Sequence, residues 1–183
     1  MNKKVYYSWA DVEHMLASIN NLIAADGWTP DYIVGVTRGG LVPAVMLSNM
    51  TGIKMHALGK DESNCWMSEE AFGYVSNYST DGDAIVPDVL PQDERLNILI
   101  IDDINDSGKT FEWIKSDWQS TCLPDDDKWD TVWGDNVRFA TLVDSDTSTF
   151  NDVDYAAVEI NNTDDPTWVV FPWEGERDYG NAN

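Results

Sequence analysis

The sequence predicts one α/β domain in which helices flank a mostly parallel central sheet. Segments with the apolar spacing of strands alternate along the chain with segments that have helical spacing, which is the order from which parallel sheets are built. One strand, Ile98–Ile101, is a run of four aliphatic residues, typical of a strand buried on both faces of such a sheet. The length of 183 residues and the hydrophobic content of 43% fit a single domain with a sizeable core.

The first predicted element is a helix over residues 8–25. Ser8 is a suitable N-cap, and Asp11 stands where the acidic residue of a capping box is expected. Apolar residues recur at helical spacing from Val12 to Ile23. We therefore expect an amphipathic helix with a scaffold role.

The remaining elements are predicted from apolar runs that are bounded by glycine, proline and other turn residues. The first of them are a strand at Tyr32–Val36, a helix from Leu41 to Gly52, and strands at 53–59 and 98–101. The later ones are a loop at 102–110, a helix that ends near Trp118, and strands at 137–143, 153–160 and 167–173. Ligand sites in such a sheet lie at the carboxyl ends of the strands.

Three segments lack the spacing of helices and strands. Residues 60–94 carry nine acidic residues and predict a mobile acidic loop or hairpin within the single domain. Residues 120–136 are expected to form an exposed acidic connection, and residues 174–183 a frayed tail.

The charge of the chain restricts its partners. With 33 acidic and 11 basic residues, the formal net charge is -22, which argues against broad contact with nucleic acid or an anionic membrane. Such a surface suits a protein kept soluble at high salt and also an ordinary acidic protein.

No stretch approaches the roughly 18 apolar residues of a membrane span, and Cys65 and Cys122 indicate neither a zinc site nor a disulfide framework. We expect a cytoplasmic protein.

Asp102 and Asp103 directly follow the buried strand Ile98–Ile101. Two adjacent carboxylates at the end of a buried strand repel each other unless a cation, a set of hydroxyls or both receives them. A purely structural interpretation, an aspartate that caps the next helix, explains one of these residues but not both together with Asp106. The pair therefore indicates a binding site.

The residues that follow the aspartates are suited to a phosphate. The segment from Asp106 to Thr110 offers successive backbone N–H groups at the start of a helix, which is a common way to hold a phosphate dianion. The P-loop of nucleotide triphosphatases ends similarly, but it needs a glycine where Asp103 stands. Carboxylates for a sugar diol beside a phosphate loop predict a ribose 5-phosphate pocket.

This pattern resembles the phosphoribosyl diphosphate (PRPP) signature of type I phosphoribosyltransferases. The segment "VGVTRGGLVPA" at 34–44 resembles the pyrophosphate loop of the same family, and the likeness extends roughly from Tyr6 to Glu174. Among the subfamilies, "YYSWADVEHM" near the start and "PTWVVFPWE" near the end resemble bacterial xanthine-guanine phosphoribosyltransferases. The resemblance implies that family's fold, with a small hood beside the sheet, and a homodimer or homotetramer.

The resemblance also implies roles for individual residues. Asp102 and Asp103 are expected to bind the ribose hydroxyls of PRPP and to hold Mg²⁺, while Asp106 acts as general acid and base beside the purine. The 5-phosphate is expected at Asp106, Ser107, Gly108, Lys109 and Thr110, and the pyrophosphate at Thr37, Arg38, Gly39 and Gly40. The nucleobase is expected at Trp168, Val169 and Ser145, with Trp173 as a less specific candidate.

Two features depart from the pattern of the purine enzymes. Where those enzymes place a lysine beside the 6-oxo group of the base, this chain has Ser145 between Asp144 and Asp146. Acceptor groups at this position favour a base that carries an amino group. The segment 60–94 is also acidic where the family usually brings basic residues. Two functions follow: a Mg²⁺-dependent purine phosphoribosyltransferase of nucleotide salvage, or a catalytically weak regulatory protein of the same fold that binds PRPP or a nucleotide.

Overall fold

The structure is a computed structural model, and it describes residues 3–59, 65–76 and 87–174. The helices are α1 (Trp9–Ala25), α2 (Leu41–Thr51), α3 (Cys65–Phe72) and α4 (Lys109–Thr121). The strands are β1 (Lys3–Tyr6), β2 (Tyr32–Val36), β3 (Lys54–Leu58), β4 (Tyr74–Ser76), β5 (Pro87–Val89), β6 (Ile98–Asn105), β7 (Val137–Ser145), β8 (Tyr155–Ile160) and β9 (Thr167–Val170). Short 3-10 turns lie at Gln92–Glu94 and Asp127–Thr131.

Five parallel strands form the central sheet in the order β3-β2-β6-β7-β8. All five residues of β2 and the first five residues of β6 are buried, as expected for strands covered on both faces. A separate parallel pair, β1 and β9, and an antiparallel pair, β4 and β5, lie outside this sheet. The predicted α/β class with a parallel central sheet is confirmed.

Alternate residues of β6 supply two cores, one on each face of the sheet. Ile98 and Ile100 pack with residues of α3 and α4, whereas Leu99 and Ile101 pack with residues of α1 and α2. Successive side chains of a strand point to opposite faces, so one aliphatic run serves both layers. The sheet is therefore the middle layer of three, and its strand ends are fixed between helices.

Helix α1 begins as the sequence predicts. The Ser8 hydroxyl accepts a hydrogen bond from the Asp11 N–H at 3.2 Å, and the Ser8 N–H donates to the Asp11 carboxylate at 2.7 Å. This reciprocal pair is a capping box. The predicted helix over 41–52 is also confirmed, because α2 ends at Gly52 in the left-handed conformation.

Strand β6 is longer than predicted. The sequence placed a loop at 102–110, but β6 continues to Asn105 because β7 pairs with it beyond the apolar run, from Asp102 opposite Thr141 to Asn105 opposite Asp144. Helix α4 likewise runs past the predicted end at Trp118 to Thr121. Both elements therefore continue through polar residues, β6 because it pairs with β7 and α4 because its helical hydrogen bonds continue for another turn.

The two acidic segments contain structure that their composition does not indicate. Within 60–94, helix α3 was not predicted, whereas the antiparallel β4–β5 pair has the pairing of the hairpin that was one of the two predicted alternatives. Residues 60–64 and 77–86 lie outside the described residues. The connection at 120–136 was expected to be exposed, which is wrong for Trp129 and Val132, both buried. Trp129 packs against Phe72 with ring centroids 5.1 Å apart. Residues 175–183 of the predicted frayed tail lie outside the described residues.

Helices long and apolar enough to cross a membrane do not occur in the described ranges.

Candidate active site

A cavity of about 590 Å³ opens at the carboxyl ends of β2 and β6. Three pieces of chain line it: the turn at 37–39, the segment 102–108 with the first turn of α4, and Trp173 with Glu174. Parallel strands that diverge into loops at one edge leave such a crevice. The two polar motifs of the sequence, 65 residues apart, therefore meet in one place.

Glycines allow the turn after β2 to lie directly against β6. A Cβ atom at Gly39 would overlap the Asp103 carboxylate, and one at Gly40 would lie 2.5 Å from the Ile101 carbonyl oxygen. Gly35 is similarly restricted, because a Cβ there would lie 2.6 Å from the Ala44 Cβ. Contacts this short exclude any side chain. The backbone of the turn thus reaches the carboxylates without intervening atoms.

The turn itself offers fewer amide donors than its sequence indicates. The Thr37 N–H donates to the Leu58 carbonyl oxygen at 2.9 Å and is therefore already used. The peptide bond between Thr37 and Arg38 is cis. The Thr37 hydroxyl and the N–H groups of Arg38 and Gly39 are the donors that this turn can present to a ligand.

Asp102 and Asp103 lie at the floor of the cavity, and Asp102 is only 9% exposed. The Asp102 carboxylate accepts from the Asp103 N–H at 2.9 Å, and the Asp103 carboxylate accepts from the Ile104 N–H at 3.0 Å. Burial raises the pKa of both carboxyls, and the charge of Asp103 raises the pKa of Asp102 further. The ion pairs found among the described residues involve neither of them.

The loop from Asp106 to Gly108 turns the chain from β6 into α4. Gly108 has φ +81°, and a Cβ atom on it would lie 2.5 Å from the Phe150 nitrogen and 2.9 Å from the Ser148 hydroxyl. Only glycine suits that position. Gly108 has no side chain that could cap the helix, so the first N–H groups of α4 are left as donors for an anion beside the cavity that Gly108 and Thr110 line.

The described structure places most of the predicted phosphate residues on the cavity wall. Asp106, Ser107, Gly108 and Thr110 line it, whereas Lys109 does not. Asp106 is exposed at the mouth. Arg38 lines the same cavity.

The residues predicted to bind the base do not line this cavity. Trp168 is 53% exposed on β9, and Val169 beside it belongs to the core on the α1 face of the sheet. Ser145 is buried at the end of β7, where its hydroxyl shares a 2.7 Å hydrogen bond with Thr147. It lines a second cavity of about 420 Å³ that also contains Asp144, Asp146 and Glu159.

Asn105 connects the two cavities. It lines the first, and its side-chain amide donates to the Asp144 carboxylate at 2.8 Å and to the Phe150 carbonyl at 3.0 Å. Burial raises the pKa of Asp144, although the bond from Asn105 opposes this. The role of Asn105 was not predicted, because the sequence interpretation ended the strand before it.

Glu174 is a further acidic group on the cavity wall that was not predicted. Burial raises the pKa of its carboxyl, and the nearby charge of Asp103 adds to the effect. Trp173, the less specific aromatic candidate, lies beside it on the same wall. The signal for both was the aromatic run "FPWE" directly after β9.

Comparisons with known proteins agree with this geometry. The family model described as a phosphoribosyl transferase domain matches residues 5–179. A xanthine-guanine phosphoribosyltransferase of Cereibacter sphaeroides is 29% identical over 159 residues, covering 84% of this chain and 78% of the relative. One from Roseobacter denitrificans is 26% identical over 165 residues, covering 84% and 77%.

Solved structures share the fold. A purine phosphoribosyltransferase from Pyrococcus horikoshii superposes with a TM-score of 0.57 at 23% identity and covers 93% of both chains. A xanthine-guanine-hypoxanthine phosphoribosyltransferase from Helicobacter pylori gives a TM-score of 0.57 at 20% identity, covering 94% of this chain and 95% of the other.

Proposed function

Because this chain belongs to the phosphoribosyltransferase family, an enzyme family, we propose that it transfers the phosphoribosyl group of PRPP to a purine-type nucleobase. The products are a nucleoside monophosphate and pyrophosphate, and the reaction depends on Mg²⁺ and serves nucleotide salvage. One observation carries the proposal: the aspartate pair, the start of α4 and the glycine turn after β2 face one cavity.

The 5-phosphate of PRPP fits the loop that precedes α4. The N–H groups at this helix start and the hydroxyls of Ser107 and Thr110 are donors suited to a dianion. Lys109, although part of the motif, contributes through its backbone rather than its side chain, since it does not line the cavity. The positive end of the helix dipole adds to the attraction.

The pyrophosphate fits the turn at Thr37, Arg38, Gly39 and Gly40. The N–H groups of Arg38 and Gly39 and the Thr37 hydroxyl donate hydrogen bonds, and the Arg38 guanidinium supplies positive charge on this wall. Gly40 acts indirectly, because its lack of a side chain lets the turn approach Asp102.

The residues at the cavity floor fit a magnesium ion. Asp102 is buried and Asp103 partly buried, both have raised pKa values, and neither forms an ion pair within the described part of the chain. Magnesium in phosphate sites is bound through one or two carboxylates together with substrate oxygens and water. Asp102 and Asp103 would hold the ion, which would supply positive charge to offset the negative charge of the leaving pyrophosphate.

Different aspartates are proposed to stabilise charge on the sugar and to handle the proton of the base. Cleavage of the bond between C1 and the pyrophosphate oxygen leaves positive charge on the sugar, which the carboxylates of Asp102 and Asp103 favour while they hold the ribose hydroxyls. Asp106, at the cavity mouth, holds or takes the proton of the purine imidazole nitrogen as the new bond forms.

The base site lies toward β7 and β9. Trp168 is proposed to stack on the purine, the backbone at Val169 to contact its edge, and Ser145 to face its 6-position. The names of the curated relatives support a 6-oxopurine such as xanthine or guanine. The carboxylates of Asp144, Asp146 and Glu159 around Ser145 would instead favour a base with an amino donor at that position, so adenine is the competing base.

The test is direct. The protein is mixed with PRPP, Mg²⁺ and one base at a time, from guanine, xanthine, hypoxanthine and adenine, and pyrophosphate release is followed. We expect release with at least one base at about 1 s⁻¹ or faster. Tight PRPP binding by calorimetry without release would instead support the regulatory protein, and neither binding nor release would overturn both functions.

A further inference from the structure

The Trp173 ring is held rigidly at the wall of the cavity. It lies parallel to the ring of Phe171, with centroids 4.7 Å apart and an angle of 3° between the planes, and it also contacts Trp9 at 5.8 Å. Phe171 is buried in the core on the α1 face, where it stacks in turn on Tyr7. The direction of the Trp173 indole N–H is therefore set by the packing of the core.

This N–H has no conventional partner. The Trp173 Nε1 atom is buried and makes no hydrogen bond within the described residues. Trp173 and Asp103 line the same cavity, and the Trp173 side chain lowers the pKa of the Asp103 carboxyl against the larger effect of burial. A buried donor without a partner is unfavourable, so its retention on the wall of a binding cavity calls for an explanation.

The other two sides of Asp103 are already restricted. One carboxylate oxygen, Oδ1, accepts from the Ile104 N–H at 3.0 Å. The other, Oδ2, lies against Gly39, where a Cβ atom would overlap it. A third contact from Trp173 would leave the carboxylate one orientation.

Resting on the proposed function, we propose that Trp173 is a positioning residue: its indole N–H donates to Asp103 when the cavity fills and fixes that carboxylate for the ribose hydroxyls and Mg²⁺. A neutral donor suits this task. A lysine or arginine in the same place would orient the carboxylate but would also neutralise it, and so weaken its hold on a cation.

The experiment compares two tryptophans. Trp173→Phe keeps an aromatic ring for the stack on Phe171 and removes the N–H. Trp28→Phe is the matched control, because the Trp28 Nε1 is also buried without a partner in the described residues but lies on the amino-terminal side of the sheet, away from the cavity. Both variants are first melted without ligand to establish that they fold.

Binding of PRPP with Mg²⁺ is then measured by calorimetry. We expect the dissociation constant to rise about tenfold or more in Trp173→Phe, in keeping with loss of a hydrogen bond to a charged group, and to change less than twofold in Trp28→Phe. The Mg²⁺ concentration for half-maximal PRPP binding should rise in Trp173→Phe only. In turnover, KM for PRPP should rise while KM for the base stays within twofold.

A second variant separates hydrogen bonding from packing. Trp173→His keeps a ring N–H, so it should lose less PRPP affinity than Trp173→Phe, whereas equal losses would overturn the positioning role. Equal affinities in Trp173→Phe and Trp28→Phe would also overturn it while leaving the proposed function intact. Absence of PRPP binding by the unaltered protein would overturn the proposed function itself.

Discussion

Asp106 differs from the other two aspartates of the site because it is exposed at the cavity mouth. From this position the Asp106 carboxylate can contact the base without binding the ribose hydroxyls of PRPP. We therefore expect Asp106→Asn to leave PRPP affinity nearly unchanged and to lower turnover roughly a hundredfold or more, since proton transfer is lost. Initial rates at saturating PRPP and base, with calorimetry beside them, provide the measurement.

Asp125→Asn, a change of the same kind at another exposed aspartate, serves as the control and should leave both quantities unchanged. Turnover retained in Asp106→Asn would remove this residue from the mechanism.

Asp102 is expected to make the empty protein less stable at neutral pH than in mild acid. Its pKa lies above the ordinary value because of burial and then the charge of Asp103. Between the ordinary pKa of about 4 and the raised one, the folded protein therefore binds more protons than the unfolded chain, so the free energy of unfolding falls as the pH rises through this window. At pH values above the raised pKa, the folded protein carries the full cost in stability of a buried, ionised Asp102.

Asp102→Asn should remove that penalty. In the presence of EDTA we expect the free energy of unfolding at pH 8 to increase by about 1 kcal/mol or more, and its decline between pH 4 and pH 8 to become shallower. Urea titrations at several pH values measure both. An unchanged or steeper pH dependence in the variant would show that the carboxyl is not destabilised by its burial.

Helix α4 depends on the backbone of Gly108 for its start. With φ +81° and the Phe150 nitrogen 2.5 Å from where a Cβ would lie, Gly108→Ala forces the loop and the helix end apart. Gly134 has a similar φ of +78°, but a Cβ there would meet only the Asp154 carboxylate at 3.9 Å. The pair separates the effect of crowding from the effect of the left-handed backbone.

Both variants should lose stability, by about 1 kcal/mol in Gly134→Ala and by more in Gly108→Ala. Only Gly108→Ala should also weaken the binding of PRPP, because it displaces the N–H groups at the start of α4. Urea unfolding gives the stabilities and calorimetry the affinities. Equal PRPP affinity in the two variants would argue against a phosphate at this helix start.

Elements with strong local signals could be predicted, and those formed by distant pairing could not. The capping box of α1 and the left-handed Gly52 at the end of α2 are local, and both are present. Strand β1 was missed because two of its four residues are lysines, which gives no apolar alternation, and because its partner β9 lies more than 160 residues away. Helix α3 was hidden within an acidic segment whose composition resembles a loop.

The candidate site shows the same division. Asp102, Asp103 and the loop at 106–110 could be predicted to form one pocket because they are neighbours in the sequence. The turn at 37–40 was predicted to join them only because of the family resemblance. Trp173 and Glu174 line the same cavity although they follow the last strand of the chain. The aromatic run that contains them is visible in the sequence, but it does not indicate contact with a cavity formed by distant residues.

At the scale of the whole molecule, the net charge of -22 must oppose folding, because the compact state brings like charges closer than the unfolded chain does. Few ion pairs offset this: Lys3 with Asp165, Lys115 with Asp152 and Arg138 with Asp26 are those found among the described residues, and at least one partner of each pair is largely exposed. Exposed pairs contribute little to stability. Repulsion should therefore dominate the response of this protein to salt.

We expect the melting temperature to rise by several degrees between about 0.05 and 1 M KCl, as the screening length shortens from above 10 Å to about 3 Å. Choline chloride at equal ionic strength distinguishes screening from the binding of a small cation to the carboxylates, since only screening is common to both salts. Equal gains in the two salts would assign the effect to the overall charge, and a larger gain in KCl to cation binding. A melting temperature that falls with either salt would mean that the ion pairs outweigh the repulsion.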